Sequence, residues 1–335
     1  MKISYIVPVY NGQPFILRCL DSILSQRFKD VEVVFVDDGS MDDSAIILRD
    51  VSSKYAHCRA YFQPNSGPSV ARNRAIREAK GEFLAILDVD DIAIGERSSL
   101  QYEVARERNV DLVVGGSKIV DVNRNQLGAY SPSTESSKLY QALLRRKASF
   151  HHSSCLIKTS KLVSLGGYSE RLKQGEDLDL YLRIFETGTV AAVNDFVIEH
   201  TRHEDSLSNG SNLEESLFYG VFVTACHLLR SNRTVDINKF EDAQYSNALE
   251  CARKWFANSR SIKEFRFRQE IKNTLNKGAF ELLKKTFLNP LPSALCAQMK
   301  IRGDQSPVKL AKYLVESREF EDLSLNEPKF NKYQD

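Results

Sequence analysis

The 335-residue sequence lacks several patterns that mark common protein classes. Its six cysteines are scattered, with no CxxC pair and no metal-finger spacing, which argues against a disulfide framework and indicates reduced thiols. No stretch reaches the ~18 consecutive apolar residues of a membrane span. The formal net charge of +2 implies no nucleic-acid partner. We therefore expect a cytoplasmic protein that makes at most a peripheral membrane contact.

The usual fingerprints of nucleotide binding and hydrolysis are also missing. There is no GxGxxG after a strand-like run and no GxxxxGK[ST], so neither a dinucleotide fold nor a P-loop is supported. GxSxG and HExxH do not occur. Four of the six histidines lie in "HHSS" (151–154) and "EHTRHEDS" (199–206), where structural and ligand roles both stay open.

What the first 200 or so residues do contain is an alternation of strand and helix patterns. Apolar runs without polar alternation, typical of strands covered on both faces, occupy 3–10, 31–37, 83–88 and 111–116. Helical patterns occupy 14–27, 42–54 and 68–80. This alternation predicts an α/β fold with a largely parallel sheet.

After about residue 210 the alternation of strand and helix patterns gives way to helical patterns alone. This change predicts a first domain over 1–210 and a helical region over 211–335. Between 250 and 312 there are fourteen Lys and Arg against five Asp and Glu, an excess of nine. Such a basic helical stretch fits an anionic membrane surface. A solvated packing or homo-oligomerisation domain is the favoured alternative, and nucleic-acid binding is the least favoured.

Polar clusters follow the predicted strands or lie in the loops beyond them. They are "PVYNG" (8–12), "VDDGSMDDS" (36–44), "DVDD" (88–91) and "GEDLDLYLR" (175–183). In an open α/β sheet, the carboxyl edge of the strands is where ligands bind. Asp, Gly and Ser are also typical of a capped turn. Taken alone, 36–44 therefore favours a structural turn over a ligand site.

The "DVDD" cluster is a more specific signal of a ligand site, because its acids directly follow a predicted buried strand. In an extended chain, alternation would place Asp88 and Asp90 on the same side. Mg²⁺ and Mn²⁺ bind through one or two such carboxylates together with substrate phosphates, and a cation would relieve the repulsion between the acids. The alternative is a loop of solvated acids.

The ordered set of motifs resembles the family 2 glycosyltransferases, inverting nucleotide-sugar enzymes with a GT-A fold. The resemblance rests on "SYIVPVYNG", "VEVVFVDDGSMDDS", "NSGPSVARNRAIREAKGEFLAILDVDD", "SLGGYSERLKQGEDLDLYLRI" and "HEDSLS" and covers about residues 2–208. It implies a GT-A-like mixed, mostly parallel sheet flanked by helices, followed by the helical C-terminal region.

The resemblance also implies roles for individual residues. Asp177 would accept the acceptor's proton with Glu176 beside it, and Asp90 and His203 would hold Mn²⁺ or Mg²⁺. The role of Asp91 beside the metal is left open, while Asp38 and Ser40 are less well matched to the base. The nucleotide would be bound by Pro8, Val9, Tyr10, Asn11, Asp37, Gly67, Arg72 and Asp88.

The chain departs from the processive members of that family. The Gln-x-x-Arg-Trp signature is missing, since Trp255 stands in "RKWF", and this favours transfer of one sugar. The resemblance implies a UDP-sugar donor and a glycan or lipid-linked acceptor in bacterial surface polysaccharide synthesis at the inner membrane. Two alternatives are a sugar nucleotidyltransferase, which would need a basic Gly-rich first loop, and a non-catalytic scaffold.

Overall fold

The computed structural model describes residues 1–146, 150–203, 213–231, 236, 239–258, 310 and 313. The chain divides into two compact units, Met1–Ser211 and Asn212–Asp335. Most of the basic stretch between 250 and 312 lies outside the described residues, so its proposed membrane or oligomerisation role remains a prediction.

In the described part of the first unit, nine strands form one sheet in the order β3-β2-β1-β4-β8-β6-β9-β5, with β7 paired to β6. Their bounds are β1 Ile3–Val9, β2 Val31–Asp37, β3 Cys58–Phe62, β4 Phe83–Ile86, β5 Ile92–Ala93, β6 Leu112–Val120, β7 Gln126–Tyr130, β8 Leu156–Lys158 and β9 Val190–Thr201.

Helices lie between these strands. Their bounds are α1 Ile16–Leu24, α2 Ser44–Lys54, α3 Pro68–Glu78, α4 Arg97–Glu107, α5 Ser136–Leu144, α6 Thr159–Ser164 and α7 Glu176–Thr187, with a 3₁₀ turn at His152–Ser154.

The sheet is parallel through β3, β2, β1 and β4 and mixed beyond them. β8 enters antiparallel between β4 and β6, while β6 and β9 pair in parallel. β2 and β4 are buried along their whole length, as their mainly apolar runs predict for strands covered on both faces. The predicted α/β class with a mostly parallel, helix-flanked sheet is confirmed.

The parallel strands bring the polar clusters to one edge. In the β1–β2 register Val9 lies opposite Asp37, and β1 pairs with β4 through Ile6 and Ile86. "PVYNG", "DDGS" and "DVDD" therefore leave neighbouring strands at their carboxyl ends. The five described cysteines are all buried.

The second unit is described through two helices, α8 Leu213–Ser231 and α9 Asp242–Asn258. Phe218 of α8 packs edge-on against Phe256 of α9, and Arg253 of α9 forms an ion pair with Glu215 of α8. Among the described residues, no helix combines the length and the apolar character needed to span a membrane.

Candidate active site

The first element of the site is a buried carboxylate at the end of β2. Asp37 is 4% exposed, and no hydrogen-bond partner of its Oδ1 atom lies among the described residues. A buried acceptor left without a donor costs on the order of 1–3 kcal/mol, so such an atom in a native fold requires an explanation. A ligand that donates a hydrogen bond at this edge would satisfy it.

The neighbouring Asp38 has a different role, because its side chain organises the loop before α3. Its carboxylate accepts hydrogen bonds from Gln63 Nε2 at 2.8 Å and from the backbone N–H groups of Ser66 at 3.0 Å and Gly67 at 2.8 Å. Gly67 has a φ of +90°, and a Cβ there would meet no atom of the described residues within 4 Å. The loop at the start of α3 is therefore pinned, with open space beside Gly67.

The loop after β1 is fastened to the loop after β2. Asn11, with a φ of 50°, donates its backbone N–H to Ser40 Oγ at 2.9 Å and accepts from the backbone N–H of Met41 through its side chain. Tyr10 is half-exposed, whereas Val9 is buried and its carbonyl accepts the Asp38 N–H at 2.8 Å. The predicted nucleotide residues of this loop thus surround the carboxyl end of β1.

Arg72 of α3 joins two acidic clusters that are far apart in sequence. Its guanidinium donates to Asp88 Oδ1 at 2.9 Å and to Glu176 Oε1 at 3.0 Å, and it lies over the Tyr168 ring. The Arg72 side chain is only 8% exposed, and the two carboxylates hold its pKa above the usual value. The fork of an arginine is suited to two such partners at once.

The four residues of "DVDD" form a turn, closed by a 3.0 Å hydrogen bond from the Asp91 N–H to the Asp88 carbonyl. The expectation of an extended segment with Asp88 and Asp90 on the same side was therefore wrong. In this turn the acids have different hydrogen-bond partners. Asp88 bonds to Arg72, and Asp90 bonds to His203 Nε2 at 3.0 Å.

Asp91 is the acid that sequence reasoning left without a clear role. It is 1% exposed and accepts from the backbone N–H of Thr201 at 2.9 Å, with His200 Nδ1 at 3.1 Å. Asp91 thus ties the "DVDD" turn to the end of β9. Because His203 follows β9 directly, this contact helps to bring His203 to Asp90.

Arg18 of α1 reinforces the same connection and was missed from the sequence. It donates to the Asp90 carbonyl at 2.8 Å and to Thr201 Oγ1 at 3.0 Å. A single arginine in an amphipathic helix gives no sequence signal for a contact 183 positions away.

The electrostatics of the turn favour a cation. Burial, together with the charges of Asp91 and Asp88, raises the pKa of Asp90 to about 6, against a smaller lowering by His203. Asp88 differs, because Arg72 and the nearby histidines outweigh its burial and lower its pKa. No group of three or more metal-ligating side chains converges among the residues that the structure describes. Asp90 with His203 nevertheless fits a magnesium- or manganese-type site, since such cations take few protein ligands and complete their shell with phosphates and water.

The remaining predicted site residues stand at the start of α7. Gly175 adopts a left-handed φ of 76°, and Glu176 and Asp177 open the helix. Burial and the adjacent Glu176 raise the pKa of Asp177 to about 6, while a 2.7 Å hydrogen bond from the Leu178 N–H opposes this. A carboxylate with such a pKa is suited to accept a proton near neutral pH.

This fold is of the GT-A class. The structure resembles that of TarS from S. aureus in complex with UDP, with a TM-score of 0.57 and 20% identity over 96% of this chain and 92% of that chain. It also resembles the mannosyltransferase PcManGT of Pyrobaculum calidifontis in complex with GDP-Man and Mn²⁺, with a TM-score of 0.51 and 18% identity over 96% and 87% of the two chains.

Sequence comparisons point to the same kind of protein. Residues 4–163 match the model of glycosyl transferase family 2, the family that the motifs resemble. Relatives include the uncharacterized glycosyltransferase EpsJ of Bacillus subtilis, 38% identical over 33% of this chain and 32% of its own length. GlyG of Streptococcus pneumoniae is 29% identical over 50% and 58%, and chondroitin synthase of Escherichia coli is 28% identical over 62% and 30%. The matches span less than two-thirds of each of these relatives.

Proposed function

We propose that this chain is an inverting, metal-dependent glycosyltransferase. It would move one sugar from a nucleotide diphosphate-sugar, by preference a UDP-sugar, to a hydroxyl of a glycan or lipid-linked acceptor. The observation that carries the proposal is the bridge from Asp88 through Arg72 to Glu176, which joins the acidic turn after β4 to the start of α7. This bridge supports a common site for a metal-and-diphosphate cluster and a general base.

The donor would bind along the carboxyl edge of β1, β2 and β4. Asp37 Oδ1 is buried and has no partner in the part of the chain that the structure describes, so it would be available to an N–H group of the base. The half-exposed Tyr10 and the open space beside Gly67 leave room for the nucleoside. TarS has been solved with UDP-GlcNAc and with UDP, which supports a UDP-sugar donor.

Asp90 and His203 would hold the divalent cation. When bound, the cation would stabilise the negative charge that develops on the leaving diphosphate. The Mn²⁺ in the related mannosyltransferase supports this assignment. Asp88, whose charge is paired with Arg72, is better placed to accept hydrogen bonds from the ribose.

The transfer itself would be a single displacement. The acceptor oxygen forms a bond to the anomeric carbon as the bond from that carbon to the diphosphate oxygen breaks, and the bonding electrons leave with the diphosphate. Asp177 takes the hydroxyl proton, so the carboxyl group is neutral at the end of the step. General base assistance of this kind typically contributes ~10²–10⁴-fold in rate.

Separate observations support the acceptor class and the cellular site. One relative is named chondroitin synthase, which supports a polysaccharide product. The excess of nine positive charges between 250 and 312 supports contact with the anionic cytoplasmic face of the inner membrane. The helical unit would then bring the enzyme to a lipid-linked acceptor.

Replacement of the proposed base tests the function. Asp177→Asn should lower turnover of the accepted nucleotide sugar by ~10²–10⁴-fold with Mn²⁺ present, while calorimetry shows unchanged UDP affinity. The thermal midpoint should stay level or rise, because the ionised Asp177 is disfavoured by the fold.

Asp179→Asn is the matched control on the same helix. Asp179 is buried in an ion pair with Arg183, so its replacement should lower the thermal midpoint instead. Full turnover by Asp177→Asn, or equal losses of nucleotide binding and turnover, would contradict the assignment.

A further inference from the structure

His152 lies between two buried tyrosines in the 3₁₀ turn that precedes β8. Its Nδ1 atom is hydrogen-bonded to the Tyr181 hydroxyl, and its Nε2 atom lies 3.0 Å from the Tyr168 hydroxyl. Both tyrosines are almost completely buried, at 3% and 2% exposure. Each nitrogen of the ring therefore has a partner from a different part of the chain.

The two tyrosines belong to opposite sides of the proposed site. Tyr181 is in α7, four residues after Asp177, so the two residues share one face of the helix. Tyr168 lies under the guanidinium of Arg72, and Asn73 of α3 holds both its backbone N–H and its carbonyl. The imidazole thus connects the helix of the proposed base to the helix that carries Arg72.

The ring donates one of these two hydrogen bonds and accepts the other. Burial and the charge of Arg72 lower the pKa of His152 to about 3, which makes the ring neutral at ordinary pH. A neutral imidazole donates from one nitrogen and accepts at the other, so the two tyrosines take opposite roles. Such a satisfied, buried network fixes the geometry of the groups that it joins.

We propose that His152 is a positioning residue, which fixes α7, and with it Asp177, against the donor-binding edge of the sheet. This rests on the proposed role of Asp177 as the general base. His152 does not touch substrate in this account, and it acts through Tyr181. The bridge from Arg72 to Glu176 provides a second connection to the same end of α7.

Two amide substitutions separate the bonds of the ring. In asparagine the amide lies as many bonds from Cα as Nδ1 of histidine, and in glutamine as many as Nε2. His152→Asn can therefore keep the bond to Tyr181, while His152→Gln can keep only the bond to Tyr168. If His152 only filled space, both substitutions would have the same effect on kcat.

The test measures kcat and the UDP affinity of the full chain with Mn²⁺ and the accepted nucleotide sugar. We expect His152→Gln and Tyr181→Phe to lower kcat by ~10–100-fold, since a misplacement of about 1 Å can cost ~10²-fold. UDP affinity should be unchanged in both, and His152→Asn should recover most of kcat. Tyr5→Phe is the matched control, because it removes a buried hydroxyl bonded to Ser98 elsewhere in the core, and its kcat should equal that of the wild type.

The outcomes are distinct. If His152→Gln and His152→Asn lose kcat equally, or if Tyr181→Phe behaves like Tyr5→Phe, the positioning role is overturned. If UDP affinity falls in parallel with kcat, His152 supports the donor site rather than the base, and the inference is also overturned. Failure of the proposed function would appear separately, as a wild-type chain that transfers no sugar from any nucleotide donor.

Discussion

Removal of the Arg72 side chain is the most informative test of how the site is assembled. Arg72→Leu leaves Asp88 and Glu176 close together without their shared cation. Loss of one partner from a buried ion pair typically costs ~3–5 kcal/mol. Because the Asp88 side chain is 33% exposed and screened by water, we expect about 2–4 kcal/mol. For a unit of this size that loss is roughly 4–16 °C in Tm.

The stability lost in Arg72→Leu should depend on pH. Arg72 helps to hold the folded-state pKa of Asp88 below its usual value. The stabilisation is therefore present above the unfolded pKa of ~3.9 and is lost as the pH falls through the folded pKa. The difference in Tm between wild type and Arg72→Leu should be largest near pH 7 and should shrink below about pH 4.

Thermal unfolding followed by fluorescence from pH 3 to pH 8 measures this, and Arg74→Leu provides the matched control. Arg74 lies on the same helix but donates to the Phe62 carbonyl and the Gln63 side chain, which are neutral. The decrease in Tm of Arg74→Leu should be smaller than that of Arg72→Leu and independent of pH. Equal losses for both variants at every pH would refute the account of Arg72 as the link between two carboxylates.

Three further predictions concern the ligands. Asp90→Ala should abolish the Mn²⁺-dependent part of UDP binding in calorimetry while leaving the metal-free affinity unchanged, and equal Mn²⁺ enhancement in both proteins would contradict the metal assignment. Asp37→Asn should weaken UDP binding by ~10–100-fold, because the amide that replaces the carboxylate cannot accept at both positions; unchanged affinity would remove Asp37 from the base site. At saturating Mn²⁺, kcat/KM should fall about tenfold per pH unit below about pH 6, as Asp177 becomes protonated. A rate that stays level down to pH 4 would exclude Asp177 as the base.

The core of the fold was predictable because its signals are local. The apolar runs at 3–10, 31–37 and 83–88 correspond to β1, β2 and β4, and the helical patterns between them correspond to α1, α2 and α3. Uninterrupted burial on both faces is directly visible in such runs. The gathering of the polar clusters then follows from the parallel pairing of these strands.

The mixed half of the sheet was harder to predict. β8 has three residues and β5 has two, which is too short for a periodic pattern to be recognised. β8 nevertheless separates β4 from β6 and places the 3₁₀ turn with His152 beside the site. Its position depends on pairing with strands more than 40 residues away in sequence, and local propensity carries no information about that.

The partners of the site residues were the least predictable feature. The motifs identified Arg72, Asp88 and Glu176, but the ion pairs between them span 16 and 104 positions. The turn at "DVDD" was also missed, since a buried strand with acids at its end is equally compatible with an extended chain. The division of the acids between Arg72, His203 and the end of β9 required the three-dimensional structure.

The stereochemistry of donor cleavage tests the central claim most directly, because it needs no knowledge of the acceptor. Proton NMR can follow the slow hydrolysis of an α-linked UDP-sugar by the Mn²⁺-loaded chain, with water in place of the acceptor. If Asp177 directs a single displacement, the β-anomer forms first and Asp177→Asn abolishes its formation. Initial release of the α-anomer, or an unchanged rate in Asp177→Asn, would contradict the account.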